Sequence, residues 1–267
     1  MAGVLVALMA AGTAPDGPTA GTVVAPQQGE RGDLVTDRPD FTESSLVVGV
    51  GLWQLETGMA FEGDDAGARA FAAPQALLRL GLSRRVELRL GASGFLAERP
   101  GTGVEQATGA SDFEVGAKVT LLDEARHGIG VSLIPIVSLP VGSDAFSSGG
   151  VDPTLKITWA RELARGFGLS GNVNVMSETE ADQRVGRHAW SFSLGHDLAF
   201  GWGGYAELYG FSSLERGGDA AWTFNGGVTR GIGDDRQFDV SIGRGITDAA
   251  PNWFVSAGFS LRGAWRR

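Results

Sequence analysis

The chain of 267 residues contains no cysteine, only three histidines and two tyrosines, and no long apolar run after its first few residues. Each scarcity excludes something. Without cysteine there are no disulfide staples, no thiolate zinc sites and no thiol nucleophile. His127, His188 and His196 are too scattered for a zinc site. Without an apolar stretch of about 18 residues beyond the first segment, a helical membrane span is not expected. A net charge of −9 argues against a nucleic-acid binder.

What is abundant is glycine, with 42 residues spread along the whole chain. They follow no collagen-like period and form no single linker. This is the distribution of an all-β protein with many turns and curved strands. Mean hydropathy is close to zero. That average is compatible with a barrel whose strands turn one face to lipid and the other to a wet lumen.

Period-two alternation carries the fold assignment. In 112–121, Phe113, Val115, Ala117, Val119 and Leu121 share one face, while Asp112, Glu114, Lys118 and Thr120 share the other. The same separation holds in 86–90, 167–175 and 238–242. Read throughout, it predicts twelve strands near 46–62, 70–82, 85–97, 110–122, 129–139, 152–161, 166–176, 188–199, 202–213, 220–231, 236–246 and 252–263. Many reach the ~9–11 residues a tilted strand needs to cross a bilayer. Short links alternate with longer ones at 63–69, 98–109, 140–151, 177–187, 214–219 and 247–251, as periplasmic turns alternate with outer loops. Aromatic residues at strand ends, among them Trp53, Phe61, Trp159, Trp190, Trp202, Trp222 and Trp253, suit interfacial girdles. A soluble β-sandwich also alternates, but its outward face is rich in Lys, Glu and Thr rather than glycine and serine. The expected fold is an all-β, transmembrane antiparallel barrel of about twelve strands, monomeric and closed by its first and last strands.

Three regions follow. Residues 1–14 contain the apolar run Val4 to Ala11 followed by small residues and read as an export signal, although a basic start is missing. Residues 15–45 read as a flexible N-terminal segment, and 46–267 as the barrel.

The segment Thr36-Asp37-Arg38-Pro39-Asp40-Phe41-Thr42-Glu43-Ser44 resembles the opening motif of the MetA-pathway of phenol degradation family of outer-membrane proteins. Gln54 to Gly58, Arg79 to Ser83 with Val86 to Arg89, Ser111 to Lys118, Ser138 to Gly142, Tyr205 to Glu207, Asp239 to Gly243 and Ala250 to Ser260 match further motifs in order. The resemblance spans about 34–265. Such barrels commonly end on an aromatic, whereas here Arg266 and Arg267 follow Trp265. The resemblance implies an outer-membrane barrel of transporter type, and its pathway label does not identify phenol as cargo.

Parity assigns the candidate pore lining: Gln54, Glu56, Arg79, Glu87, Arg89, Glu114, Lys118, Lys156, Asn172, Asn174, Tyr205, Glu207, Asp239 and Arg262. Arg or Lys facing lipid at the midplane costs about 2–4 kcal/mol, so inward is favoured. These residues can line a path for small solutes or form a packing network that fills a sealed lumen. Arg38, Asp40 and Glu43 form a candidate plug ahead of the first strand. Loops 140–151 and 177–187 are candidates to constrict the outer mouth. No cofactor or metal is implied, and no catalytic Gly-x-Ser-x-Gly elbow is present. A lipid-active enzyme would need one of the three histidines, and His196 reads as an interfacial residue. The expected partners are outer-membrane lipid, barrel-insertion machinery and a small-molecule solute, possible aromatic or hydrophobic compounds among them.

Overall fold

A computed structural model describes residues 32–265 except Thr102, Val104 and Glu215. The expected export signal and the first part of the flexible segment lie outside the described residues. The wall consists of β1 (Leu52–Gly63), β2 (Arg69–Ser83), β3 (Val86–Arg99), β5 (Phe113–Leu122), β6 (Gly130–Leu139), β7 (Asp152–Glu162), β8 (Phe167–Glu180), β9 (Gln183–Asp197), β10 (Trp202–Phe211), β11 (Ala221–Gly231), β12 (Arg236–Gly245) and β13 (Trp253–Ala264). A three-residue strand, β4 (Ala107–Gly109), pairs only with the outer end of β3. Every pairing is antiparallel, and β1 closes the barrel on β13 from Leu52↔Ala264 to Gly63↔Trp253. Closure leaves no free strand edge in lipid, where an unpaired backbone group costs several kcal/mol.

The faces of the wall are inverted relative to a soluble protein. Phe192, Phe224 and Ile242 are exposed on the outside, at 55%, 53% and 65%. Arg79, Lys118, Gln54, Glu56, Glu87 and Glu207 are among the largest fully buried side chains. An apolar exterior of this kind is stable against hydrocarbon and not against water. Outward rings gather towards the strand ends. Trp202 lies under the Arg230 guanidinium at the short-turn end, while Trp190 stacks on Trp222, and Phe61 meets Trp253, at the other. Several rings lie across glycines of the neighbouring strand. A Cβ at Gly210 would come within 2.5 Å of the Trp222 ring.

Two expectations about local structure are corrected. Residues 46–51 are valine-rich but are not strand: the chain turns at Gly51 (φ +76°), and β1 starts at Leu52. Residues 177–187 are not a long loop. β8 and β9 stay paired to Glu180↔Gln183, and Ala181 and Asp182 turn the chain with φ of +48° and +60°. Two positive φ values in a two-residue connection make a type I′ hairpin turn. Ala-Asp lacks the Asn-Gly or Asp-Gly signature of such a turn, so the polar stretch around it looks like a loop.

Candidate functional site

The site is the lumen, and the chain itself enters it. Residues 33–50 begin at the short-turn end, where Arg262 donates to the Asp33 carbonyl (3.1 Å) and Gln237 to Thr36 Oγ1 (2.8 Å). The segment rises to the middle of the wall. There the Arg38 guanidinium lies over Gly58 and Gly258, which pair across β1 and β13. A Cβ at either position would fall within 2.4 Å of it. At the tip, Phe41 stacks on Tyr209 (4.8 Å) and meets Phe211 edge-on. The chain then returns along the opposite wall. Thr158 donates to the Glu43 carbonyl, Ser132 to that of Ser45 (2.6 Å), and Val48 N–H donates to Glu87 (2.7 Å). Gly81 admits this returning limb, because a Cβ there would sit 2.0 Å from the Gly49 carbonyl.

Asp37 is the centre of the charge network. Its carboxylate accepts from Arg89 (2.6 Å) and from Lys118 (3.0 Å to each oxygen), and lies 3.4 Å from Arg79. It also accepts from the Ser44 N–H, which ties the rising and returning limbs together. Arg79 in turn pairs with Glu56 and Glu87, both at 2.9 Å. Glu43 pairs with Lys156 (2.8 Å) and Arg89 (3.3 Å), and Arg38 with Asp239 (3.2 Å). On the far wall Glu207 accepts from Phe41 N–H, Thr42 N–H and Thr42 Oγ1 at 2.9, 2.7 and 2.6 Å, and from Asn225 at 2.6 Å. Charges this deeply buried persist only when paired and hydrogen-bonded, and breaking such a network leaves an uncompensated charge.

The residues selected by parity divide into three groups. Gln54, Glu56, Arg79, Glu87, Arg89, Lys118, Lys156, Glu207 and Asp239 all contact residues 33–50. With its amide suitably oriented, Asn172 joins them, donating to Thr158 Oγ1 and accepting from Glu43 N–H. Asn174 is buried opposite Lys156, and among the described residues neither its Oδ1 nor the Tyr205 hydroxyl has a hydrogen-bond partner within range. Arg262 meets the start of the segment at the short-turn rim, donating to the Asp33 carbonyl and paired with Asp235 (2.9 Å). Glu114 takes part in no ion pair among the described residues. Of the candidate plug, Arg38 and Glu43 make the contacts above, and Asp40 lies beside Ser193 and Glu207.

Asp37 and Thr42 are the residues that parity missed. Charge count did not point to Asp37: with Arg79, Arg89 and Lys118, the inward faces of β1, β2, β3 and β5 carry Glu56, Glu87 and Glu114. Glu114 sits towards the outer end and pairs with none of the three cations among the described residues, so Asp37 takes that place. His196 is bonded to the Gly166 carbonyl (2.9 Å) and stacked on Phe167 (4.2 Å) at the short-turn rim. No group of three or more metal-ligating side chains occurs among the described residues.

Above this filled half lies a cavity of about 530 Å³, floored by Arg38, Glu43 and Arg89 and reaching Phe146 and Ser148 of loop 140–151. The loop is tied down by Asp112, which accepts from the N–H groups of Gly142 (2.9 Å) and Ser148 (3.0 Å). Burial works against the Asp112 charge, but hydrogen bonds from Ser147, Gly142 and Ser148 outweigh it and hold the carboxyl below its ordinary range. Ser143 adds a bond to Ala110 N–H (2.9 Å).

A closed antiparallel barrel with an apolar exterior and a charged lumen defines the class: a bacterial outer-membrane β-barrel with the architecture of channels. Within that class, the model of the family described as "Putative MetA-pathway of phenol degradation" matches residues 36–263, and the chain belongs to this family. No curated protein sequence matches it. Among solved structures, the COG4313 outer membrane channel from Pseudomonas putida F1 superposes with a TM-score of 0.62 at 13% identity, covering 82% of this chain and 98% of that one. The NanC porin gives 0.52 at 10% identity, over 78% and 98% of the two chains. The CymD monoaromatic hydrocarbon channel gives 0.50 at 9%, over 82% and 90%. At these identities the likeness is one of fold.

Proposed function

We propose that the protein is a channel of the outer membrane for passive or facilitated passage of small solutes with an apolar or aromatic body, and that residues 33–50 plug the periplasmic half of its lumen at rest. The observation that carries this reading is the pairing of the segment with both walls. It contacts β1, β2, β3, β5, β6 and β7 along one side and β9, β10, β12 and β13 along the other, which supports a plugged path. The cavity above is open to the outer loops, as the entrance of a plugged path would be. The fold likeness to an aromatic-hydrocarbon channel and the family's pathway label support the solute class, and Phe41, Tyr209, Phe211 and Phe146 supply rings along the way. The protein acts as a monomer and reaches the membrane through barrel-insertion machinery.

The direct test is single-channel conductance in a planar bilayer, comparing the full chain with a variant lacking residues 34–44. The plug reading expects larger steps from the deletion variant, with folding verified by heat-modifiable gel mobility. Unchanged conductance would remove it. The alternative of a structural barrel with a sealed lumen expects silence from both.

A further inference from the structure

The cavity at the outer end contains one charge that the folded protein leaves unused. Glu114 points into the lumen from β5, on the same face as Gly116 and Lys118. It is exposed to the cavity and forms no hydrogen bond or ion pair among the described residues. Its neighbours across the ladders are small, Gly91 on β3 and Ser138 on β6. A Cβ at position 91 would lie 3.3 Å from Glu114 Oε2, so glycine there keeps the space beside the carboxylate open. The other charges facing the cavity differ. Lys156, Arg38 and Arg89 are each paired with a carboxylate, and Glu178 and Asp152 with Arg187 and Arg184. Asp112 is satisfied by the loop. Glu56 is paired with Arg79, so among the described residues Glu114 and Asp112 are the two lining carboxylates without a cation partner. An added anion is therefore disfavoured, and an added cation or hydrogen-bond donor is favoured.

The remaining lining mixes small polar side chains with a few larger apolar ones. Leu77 and Ile136 face the cavity from the walls and Phe146 from the loop. A volume of about 530 Å³ is within the range of small-molecule pockets. We infer that this cavity is a solute-binding site in which Glu114 is the specificity-determining acceptor, taking a ring-sized solute with a cationic ammonium head and rejecting one that carries a carboxylate. The apolar ring would lie against Leu77, Ile136 and Phe146, while the ammonium group donates to Glu114. This inference deepens the reading of the lumen as a solute path and rests on it.

The test uses three probes of equal ring size, benzylammonium, benzyl alcohol and benzoate, titrated into the refolded full-length protein and followed by ligand-detected NMR. An ammonium–carboxylate hydrogen bond in a partly desolvated site is worth enough to favour benzylammonium over benzoate by about tenfold or more. Glu114→Gln should bring the two within about threefold, and Glu114→Asp should retain the preference. Equal binding of the two ions to the natural protein would overturn the inference, and so would a preference that survives Glu114→Gln. Conductance of the same samples separates the two readings. Discrimination in a protein that never conducts would sink the channel and keep the binding site. Conductance without discrimination would do the reverse.

Discussion

The two halves of the lumen carry inward charges of the same kind but use them differently. In the periplasmic half, Arg79, Arg89, Lys118, Glu56 and Glu87 are covered by residues 33–50 and bonded to them or to one another. In the outer half nothing covers Glu114, and it remains exposed. The difference is one of dielectric surroundings. A charge that the chain's own segment desolvates must be matched, so the lower half behaves as a polar core. A charge left facing water need not be matched and remains available to a solute. An inward-facing charge in a barrel is therefore not by itself a transport residue. Whether the segment covers it decides.

The contrast can be broken most forcefully at Asp37. Asp37→Ala leaves three cations with too few carboxylates, and breaking a buried network of this kind costs about 3–5 kcal/mol. The denaturant midpoint of the refolded barrel should fall accordingly, with larger conductance steps as the segment loosens. A smaller effect is expected from Glu207→Gln, which weakens the acceptor for Phe41 and Thr42. A weakened bond to a buried charged group is worth about 1–3 kcal/mol. Hydrogen exchange should then quicken at those two amides while the Asp37 neighbourhood stays protected.

Asp112→Asn sharpens the comparison at the outer mouth, where loop 140–151 should become accessible to proteolysis with little change in global stability. The same site predicts a pH dependence. The folded pKa of Asp112 is depressed, so its contribution is present above the ordinary Asp value of about 3.9 and is lost as pH falls through the folded value. Loop release on acidification below about pH 4 should occur in the natural protein and be blunted in Asp112→Asn. The smallest effect belongs to Glu114→Gln. Removing an unpaired, exposed charge should shift stability by no more than about 0.5 kcal/mol. A large loss would show that Glu114 belongs with the packed half.

The strands were legible because lipid on one side and a polar lumen on the other impose a strict period of two. All twelve predicted segments fall on wall strands, and Arg79, Glu87, Arg89 and Lys118 face inward as parity requires. The exceptions arose where alternation does not report backbone conformation. Residues 46–51 are rich in strand-forming valine without alternating, and they are shaped by the Gly51 turn and by the close approach to Gly81. The turn at Ala181-Asp182 is set by two long paired strands rather than by favourable turn residues. Asp37 was obscured for a different reason. Its partners Arg89 and Lys118 are 52 and 81 residues away in sequence, so no local pattern links them.

The central claim is that residues 33–50 close the path and must move for it to open. Thr42 Oγ1 and Ser191 Oγ are 2.6 Å apart, and the natural chain has no cysteine to compete. The decisive measurement is single-channel conductance of the Thr42→Cys, Ser191→Cys double variant, oxidised to a disulfide and then reduced in the same bilayer. The account predicts silence or strongly diminished steps when oxidised, and recovery on reduction. Equal conductance in the two states would contradict it.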